Sequence, residues 1–252
     1  MINLSFVDSR LRKVIDAKLR TTMDLSFVED RLKNITATDM AALFGLNDRD
    51  SPRKIVERKI NPQPTEDNKH LRRGRLREVS VLEAFELDLG VPIQRHRGGT
   101  ITLDGARIAV TPDAFITGTH NVVEAKSINM FSFPKWFEEV PSKYHVQVLA
   151  QMLVMNSEYG LIGALEESEY FDFAVWIIER NKEAEDLMLE EVARFWMCMD
   201  NGTLFRVNSK IKAKMIALLE KSRTLVCPIE RKVPAKDVVY AQEISKMLAL
   251  FQ

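Results

Sequence analysis

The stretch ARIAVTPDAFITGTHNVVEAKSI, residues 106–128, carries the reading that decides the fold. Two apolar runs, 106–116 and 121–128, flank the turn residues Thr117-Gly118-Thr119 and predict two strands. Asp104-Gly105 just before them is a tight hairpin signal that joins a third strand-like run, 92–103, to the pair, so an antiparallel meander is expected. Asp113 follows Pro112 in the run 106–116, and Glu124 and Lys126, two residues apart in the run 121–128, leave one sheet face. Charged groups inside apolar strands are costly to bury without an ion or a close partner. A cross-strand salt bridge or a wet sheet face would account for any one of them alone. Together they also suit phosphodiester hydrolysis, which needs hard oxygen ligands for a divalent metal and a group that orients the attacking water.

Working outward, Leu76, Val79, Leu82 and Phe85 recur at helical spacing and predict a helix over about 72–89, stopped by Gly90. Thr36-Ala37-Thr38-Asp39 reads as a helix start before MAALFG, and Ser51-Pro52 as another, with Ser as cap and Pro in the first turn. A polar loop is expected at 61–68, a helix over 142–156, strands near 159–165 and 171–179, and a helix over 182–199. The last fifty residues read as mostly helical, with a Pro-containing break around 227–234. A short self-similarity, LSFVDSRLRK at 4–13 against LSFVEDRLKN at 25–34, is too brief for a solenoid. The expected class is α/β: a mixed sheet flanked by helices, in a single domain over 1–252 with its core at 27–199 and a helical C-terminal extension at 200–252.

Composition narrows the function. Lys plus Arg and Asp plus Glu both total 36, so any nucleic-acid surface must be a local basic patch. Two cysteines, Cys198 and Cys227, are too few for a disulfide framework or a four-thiolate zinc or iron–sulfur site. None of the four histidines has a partner at metal-ligand spacing, and a Gly-rich phosphate loop is lacking. A charged N-terminus and the lack of a long apolar run lead to the expectation of a soluble, cytoplasmic protein.

Pro112-Asp113, ten intervening residues and Glu124-Ala125-Lys126 form the PD-(D/E)xK pattern, and four further segments sharpen it. They are Arg31 to Asp39 (RLKNITATD), Gly74 to Glu78 before the LEAFE run, Pro141 to Val148 with Tyr144 three residues ahead of Gln147, and WIIERN at 176–181. Taken in order, these resemble the YqaJ viral recombinase and lambda exonuclease group of the PD-(D/E)xK nuclease superfamily. The resemblance implies a restriction-endonuclease-like core and a phage-type, Mg²⁺-dependent (or Mn²⁺-dependent) 5′-to-3′ exonuclease on double-stranded DNA. It further implies 3′ overhangs for a single-strand annealing protein, and a homotrimer.

By the same resemblance Asp113, Glu124 and the Ala125 carbonyl would hold the metal, Glu78 would complete the acidic site, and Lys126 would act on the water. Arg31, Thr38, Thr111 and Gln147 would receive the 5′-phosphate, with Gln147 also in the catalytic set. The chain departs from the family by having Thr at 38 and 111 where Ser is usual, and Ala114 where Gly is common. Separately, Arg72, Arg73 and Arg75 lie close enough in sequence to the acidic helix to hold the DNA backbone, a solvated charged face being the alternative. A restriction-like or repair endonuclease and an inactive DNA-end-binding module remain alternatives.

Overall fold

A computed structural model describes residues 25–62, 69–167, 172–227 and 238–240. The first copy of the repeat, most of the 61–68 loop and most of the 227–234 break fall outside these residues. The opening elements are helix α1 (Leu25–Lys33), strand β1 (Ile35–Thr36), and helices α2 (Ala37–Leu43), α3 (Pro52–Ile60) and α4 (Lys69–Leu89). Short strands β2 (Ile93–Arg95), β3 (Ile101–Leu103), β4 (Ile108–Val110) and β5 (Ala114–Ile116) lead to the longer β6 (Val122–Ile128). After a 3₁₀ turn at Phe133–Phe137 come α5 (Ser142–Met155), β7 (Tyr159–Glu166), β8 (Phe173–Glu179), α6 (Lys182–Asp200), α7 (Ser209–Lys221), β9 (Arg223–Cys227) and β10 (Val238–Tyr240).

The helix starts follow the expected chemistry. Thr36 caps α2 by accepting from the Asp39 N–H at 3.1 Å, while the Asp39 carboxylate accepts from the Thr36 N–H at 3.2 Å, a closed capping box. Ser51 caps α3 with Pro52 in its first turn. Gly45, Gly90 and Gly105 take positive φ at the expected stops.

The meander is split. β3 and β4 form an antiparallel hairpin joined in parallel by β1, a small sheet of order β1-β4-β3. β2 and β5 belong instead to a seven-stranded sheet of order β10-β9-β8-β7-β6-β5-β2, in which β6 and β7 run parallel. The run 92–103 breaks where Gly98 and Gly99 offer no side chain to pack, and the run 106–116 breaks at Thr111-Pro112-Asp113, where Pro removes a ladder donor. Asp113 therefore sits in the bend between two strands rather than inside one. The C-terminal region is corrected likewise: α7 is helical, but β9 pairs antiparallel with β8 and extends the main sheet, so 200–252 is not a purely helical extension.

Two glycines in β7 set the helix layers at closest approach. A Cβ on Gly163 would fall 2.5 Å from the Phe85 ring of α4, and one on Gly160 would fall 2.7 Å from Val148 of α5. Alternate strand residues face opposite sides, so α4 and α5 cover the two faces of the β6–β7 ladder. Val81, Leu82, Phe85 and Leu89 pack with Val123, Leu161 and Leu165 on one side, and Val146, Leu149 and Met152 pack with Val122 and Ile162 on the other. Leu76 and Val79, expected on the buried face of α4, are exposed.

Candidate active site

The bend at Thr111–Asp113, the middle of β6, the N-terminal half of α4 and the first turns of α5 meet at one edge of the ladder. Asp113 Oδ2 accepts from the Ala125 N–H at 2.8 Å, which ties the bend to β6. Glu124, only 2 % exposed, receives three donors: Gln147 Nε2 at 2.6 Å on Oε1, the Lys126 ammonium on the same oxygen, and Gln151 Nε2 at 2.6 Å on Oε2. Gln147 and Gln151 are one turn apart on α5 and so share a face. Lys126 Nζ also lies 5.0 Å from the centre of the Tyr144 ring, which stacks on Trp136, whose carbonyl accepts from Trp176 Nε1.

Three carboxyls thus gather around a single lysine. Burial and the nearby Glu124 charge push Asp113 well above the usual carboxylate range, with Lys126 opposing. Glu78, on α4, is raised by burial and by Glu124. Lys126 is itself held above the ordinary lysine value, because the attraction of Glu124 and Asp113 outweighs its burial. Among the described residues no three His, Cys, Asp or Glu side chains converge closely enough to hold a metal by themselves. The donor set nonetheless fits a hard divalent cation: Mg²⁺ is typically bound through one or two carboxylates and retains several waters, and the two raised carboxyls mark an excess of negative charge.

The expected phosphate-binding residues are less compact. β1 and β4 run in parallel register, Ile35 opposite Ile108 and Thr36 opposite Ala109, so Thr38 and Thr111 leave the small sheet at the same end. Both are exposed, and the cap of α2 is Thr36 rather than Thr38. Arg31, Arg58 and Lys59 surround Asp39: Arg58 Nη2 lies 2.8 Å from Asp39 Oδ1, and Lys59 Nζ lies 3.9 Å from Oδ2. Arg31 keeps exposed surface, and its packing against the protein lowers its guanidinium pKa, with Asp39 opposing and Arg58 adding to the shift. Gln147 is engaged with Glu124. Of the basic residues in the N-terminal half of α4, Arg73 and Arg77 pair with Glu167 at 3.2 and 2.8 Å, and Arg72, Arg73 and Arg75 are all exposed.

Sequence reasoning missed Gln151, Arg58 and Lys59. The four-residue spacing of Gln147 and Gln151 in an apolar helix was a readable signal for the first. Lys59 lies in the polar segment PRKIVERKI, where nothing local marks it as buried.

Residues 26–158 match the sequence pattern of the YqaJ-like viral recombinase domain, just over half of the 252 residues. The chain belongs to the YqaJ-like viral recombinase family. The resemblance read from the ordered motifs is therefore borne out. Among solved structures, this family member resembles LHK-Exo, an alkaline exonuclease from Laribacter hongkongensis, at TM-score 0.59 and 16% identity over 79% of this chain and 97% of that one. The complex of LHK-Exo with dAMP gives TM-score 0.57 at 17% identity, over 77% and 95% of the two chains. A phage-related exonuclease from Haemophilus somnus 129PT gives 0.51 at 12%, over 75% and 96%. The YqaJ-like chain thus has the fold of these exonucleases, the mixed sheet with flanking helices expected from the sequence. No curated protein sequence is significantly similar to it. Among its described residues, no helix is long and apolar enough to cross a membrane.

Proposed function

We propose that this YqaJ-like chain is a divalent-metal-dependent exonuclease that degrades double-stranded DNA ends 5′ to 3′, leaving a 3′ overhang for a single-strand annealing protein. The observation that carries the reading is the gathering of Glu78, Asp113 and Glu124 around Lys126, with two of the carboxyls pushed up by burial and mutual repulsion. Asp113, Glu124 and the Ala125 carbonyl would hold Mg²⁺ or Mn²⁺, and Glu78 would close the site from α4. When bound, the ion supplies Lewis-acid activation of the phosphate and of the attacking water. Lys126, whose ammonium is held charged by its neighbours, orients the water and offsets charge that develops on the phosphate. Tyr144 walls one side of that lysine.

The 5′-phosphate would be received by Arg31 together with Thr38 and Thr111, with Gln147 linking this region to Glu124. Arg58 and Lys59 add positive charge there. Arg72, Arg73 and Arg75 would follow the backbone without reading bases. Membership of a viral recombinase family supports the recombination role, and the dAMP complex of LHK-Exo is an example of a protein of this fold with a bound nucleotide. A ring of three subunits would suit processive digestion.

The test uses linear duplexes with 5′-phosphate or 5′-hydroxyl ends, and covalently closed circles, each with Mg²⁺ or chelator. Mg²⁺-dependent release of nucleotides from 5′-phosphorylated linear DNA alone is expected. Cutting of closed circles would point to an endonuclease, and binding without release to an end-binding module.

A further inference from the structure

Gln151 is fully buried on α5, and its amide donates to Glu124 Oε2 at 2.6 Å, while Gln147 one turn earlier donates to Oε1 at the same distance. The carboxylate is therefore held at both oxygens by two amides from one rigid helix. A buried amide in the otherwise apolar run Val146–Val154 is costly to retain for packing alone. The cost is visible, since the buried Gln151 Oε1 has no hydrogen-bond partner. α5 is in turn fixed against the sheet by the close approach of Val148 and Met152 at Gly160, so the position of Gln151 is set by the core.

We propose that Gln151 is a positioning residue that locks the Glu124 carboxylate in the orientation required to hold the divalent metal. This rests on the reading of Glu124 as a metal ligand. Oε1 carries two donors, Gln147 and Lys126, whereas Oε2 carries Gln151 alone. A carboxylate oxygen accepts about two hydrogen bonds, so the Gln151 contact fixes the rotamer while leaving Oε2 with further acceptor capacity. Without it Glu124 is restrained through Oε1 only and turns about that pivot. Groups that orient metal ligands in this way change metal affinity or activity by about 10- to 100-fold when removed.

The test compares Gln151→Met, which keeps length and volume but removes the donor, with Gln151→Leu, Glu124→Ala and the wild type. Mg²⁺ affinity is measured by calorimetry without DNA, along with kcat and KM on linear duplex, and thermal stability in chelator. Gln151→Met is expected to weaken Mg²⁺ binding by about 10-fold and lower kcat, with KM for DNA unchanged. In the Glu124→Ala background, the stability effect of Gln151→Leu should differ from its effect in the wild type, because the partner is gone. Wild-type Mg²⁺ affinity and kcat in Gln151→Met, with stability effects that simply add, would overturn the proposal. Undiminished Mg²⁺ binding in Glu124→Ala would instead overturn the ligand reading, and the stability coupling alone would then decide whether Gln151 holds Glu124.

Discussion

The molecule contains two charge clusters that are near inversions of each other. At the edge of β6 three carboxyls, Glu78, Asp113 and Glu124, gather around Lys126. Around the start of α2 three cations, Arg31, Arg58 and Lys59, gather around Asp39, with Arg58 reaching Asp50 as well at 2.7 Å. In the first cluster burial and like charge push Glu78 and Asp113 up. In the second, burial and like charge push Arg31 and Lys59 down, Lys59 to about 8. The first assembly sets three carboxyls beside one lysine, and the second sets three cations beside Asp39 and Asp50. Buried charge of one sign is tolerated where a ligand supplies the other, so the comparison points to a cation at β6 and an anion near α2.

The comparison is broken most severely at the acidic cluster. Lys126→Ala should slow DNA digestion by roughly 10²–10⁴-fold while leaving DNA binding largely intact, because the proposed role of the lysine is on the water rather than on the duplex. Single-turnover rates beside a filter-binding isotherm separate the two, and wild-type turnover would remove the role. Asp113→Asn should also abolish activity, yet stabilise the metal-free protein. A carboxyl raised in the folded state favours folding while protonated, and that contribution is lost as pH rises from its ordinary value of 3.8 through the higher folded value. In chelator the wild type should therefore lose stability with rising pH across that window. Asp113→Asn should flatten the loss, and Mg²⁺ should restore stability at neutral pH in the wild type only. Melting curves at pH 5 and 7.5 give the sign, and a parallel loss in both proteins would contradict it.

The basic cluster predicts a smaller, selective effect. If the proposed pocket is right, Arg31→Ala removes a charge-assisted contact worth ~1.5–3 kcal/mol, or roughly one to two orders of magnitude, from handling of a 5′-phosphorylated end. Digestion of 5′-phosphate duplex should slow far more than that of 5′-hydroxyl duplex. The repeat supplies a control, since Arg10 occupies the equivalent place in LSFVDSRLRK but lacks the Thr36-Ala37-Thr38 continuation. Equal effects of Arg10→Ala and Arg31→Ala on the ratio of the two rates would misplace the pocket.

The two clusters were unequally legible in the sequence. Asp113, Glu124 and Lys126 stand on or beside one strand, so a period of two and the Pro-Asp pair were enough to bring them together. The helices α4, α5 and α6 and the strands β6, β7 and β8 were readable because they are long enough to carry a period, and α3 through its Ser51-Pro52 start. Short elements were not. RTLVC at 223–227 becomes a strand because β8 offers it an open edge, which no local pattern records. Leu76 and Val79 continue the helical spacing of α4 but lie on a part of the helix that none of the described residues covers. Lys59 is the sharpest case: within KIVERKI it looks solvated, yet its ammonium is turned inward to the carbonyls of Arg31 and Asn34.

That inward turn gives the smallest and most specific expectation. Lys59 is 8 % exposed, and its Nζ donates to Arg31 O at 3.0 Å and Asn34 O at 2.6 Å, leaving one of three ammonium protons for another acceptor. Burial lowers its pKa to about 8, with Arg58, Arg31 and Arg107 adding and Asp39 opposing. A lysine lowered on folding disfavours the folded state while charged, so stability should rise slightly as pH passes from about 8 toward 10.5. Anion binding should move the other way, because the folded cluster loses one positive charge as pH rises through about 8. A terminal phosphate has its second pKa near about 6, so its own charge is constant above neutrality and the change belongs to the protein. The ratio of rates on 5′-phosphate and 5′-hydroxyl duplex cancels the pH dependence of the chemical step. It should fall severalfold between about pH 7 and 9, consistent with losing a partly screened charge interaction of about 1 kcal/mol. Lys59→Arg keeps its proton throughout and should hold the ratio level. A ratio that falls equally in that variant would assign the titration to another group and detach Lys59 from the basic cluster's function.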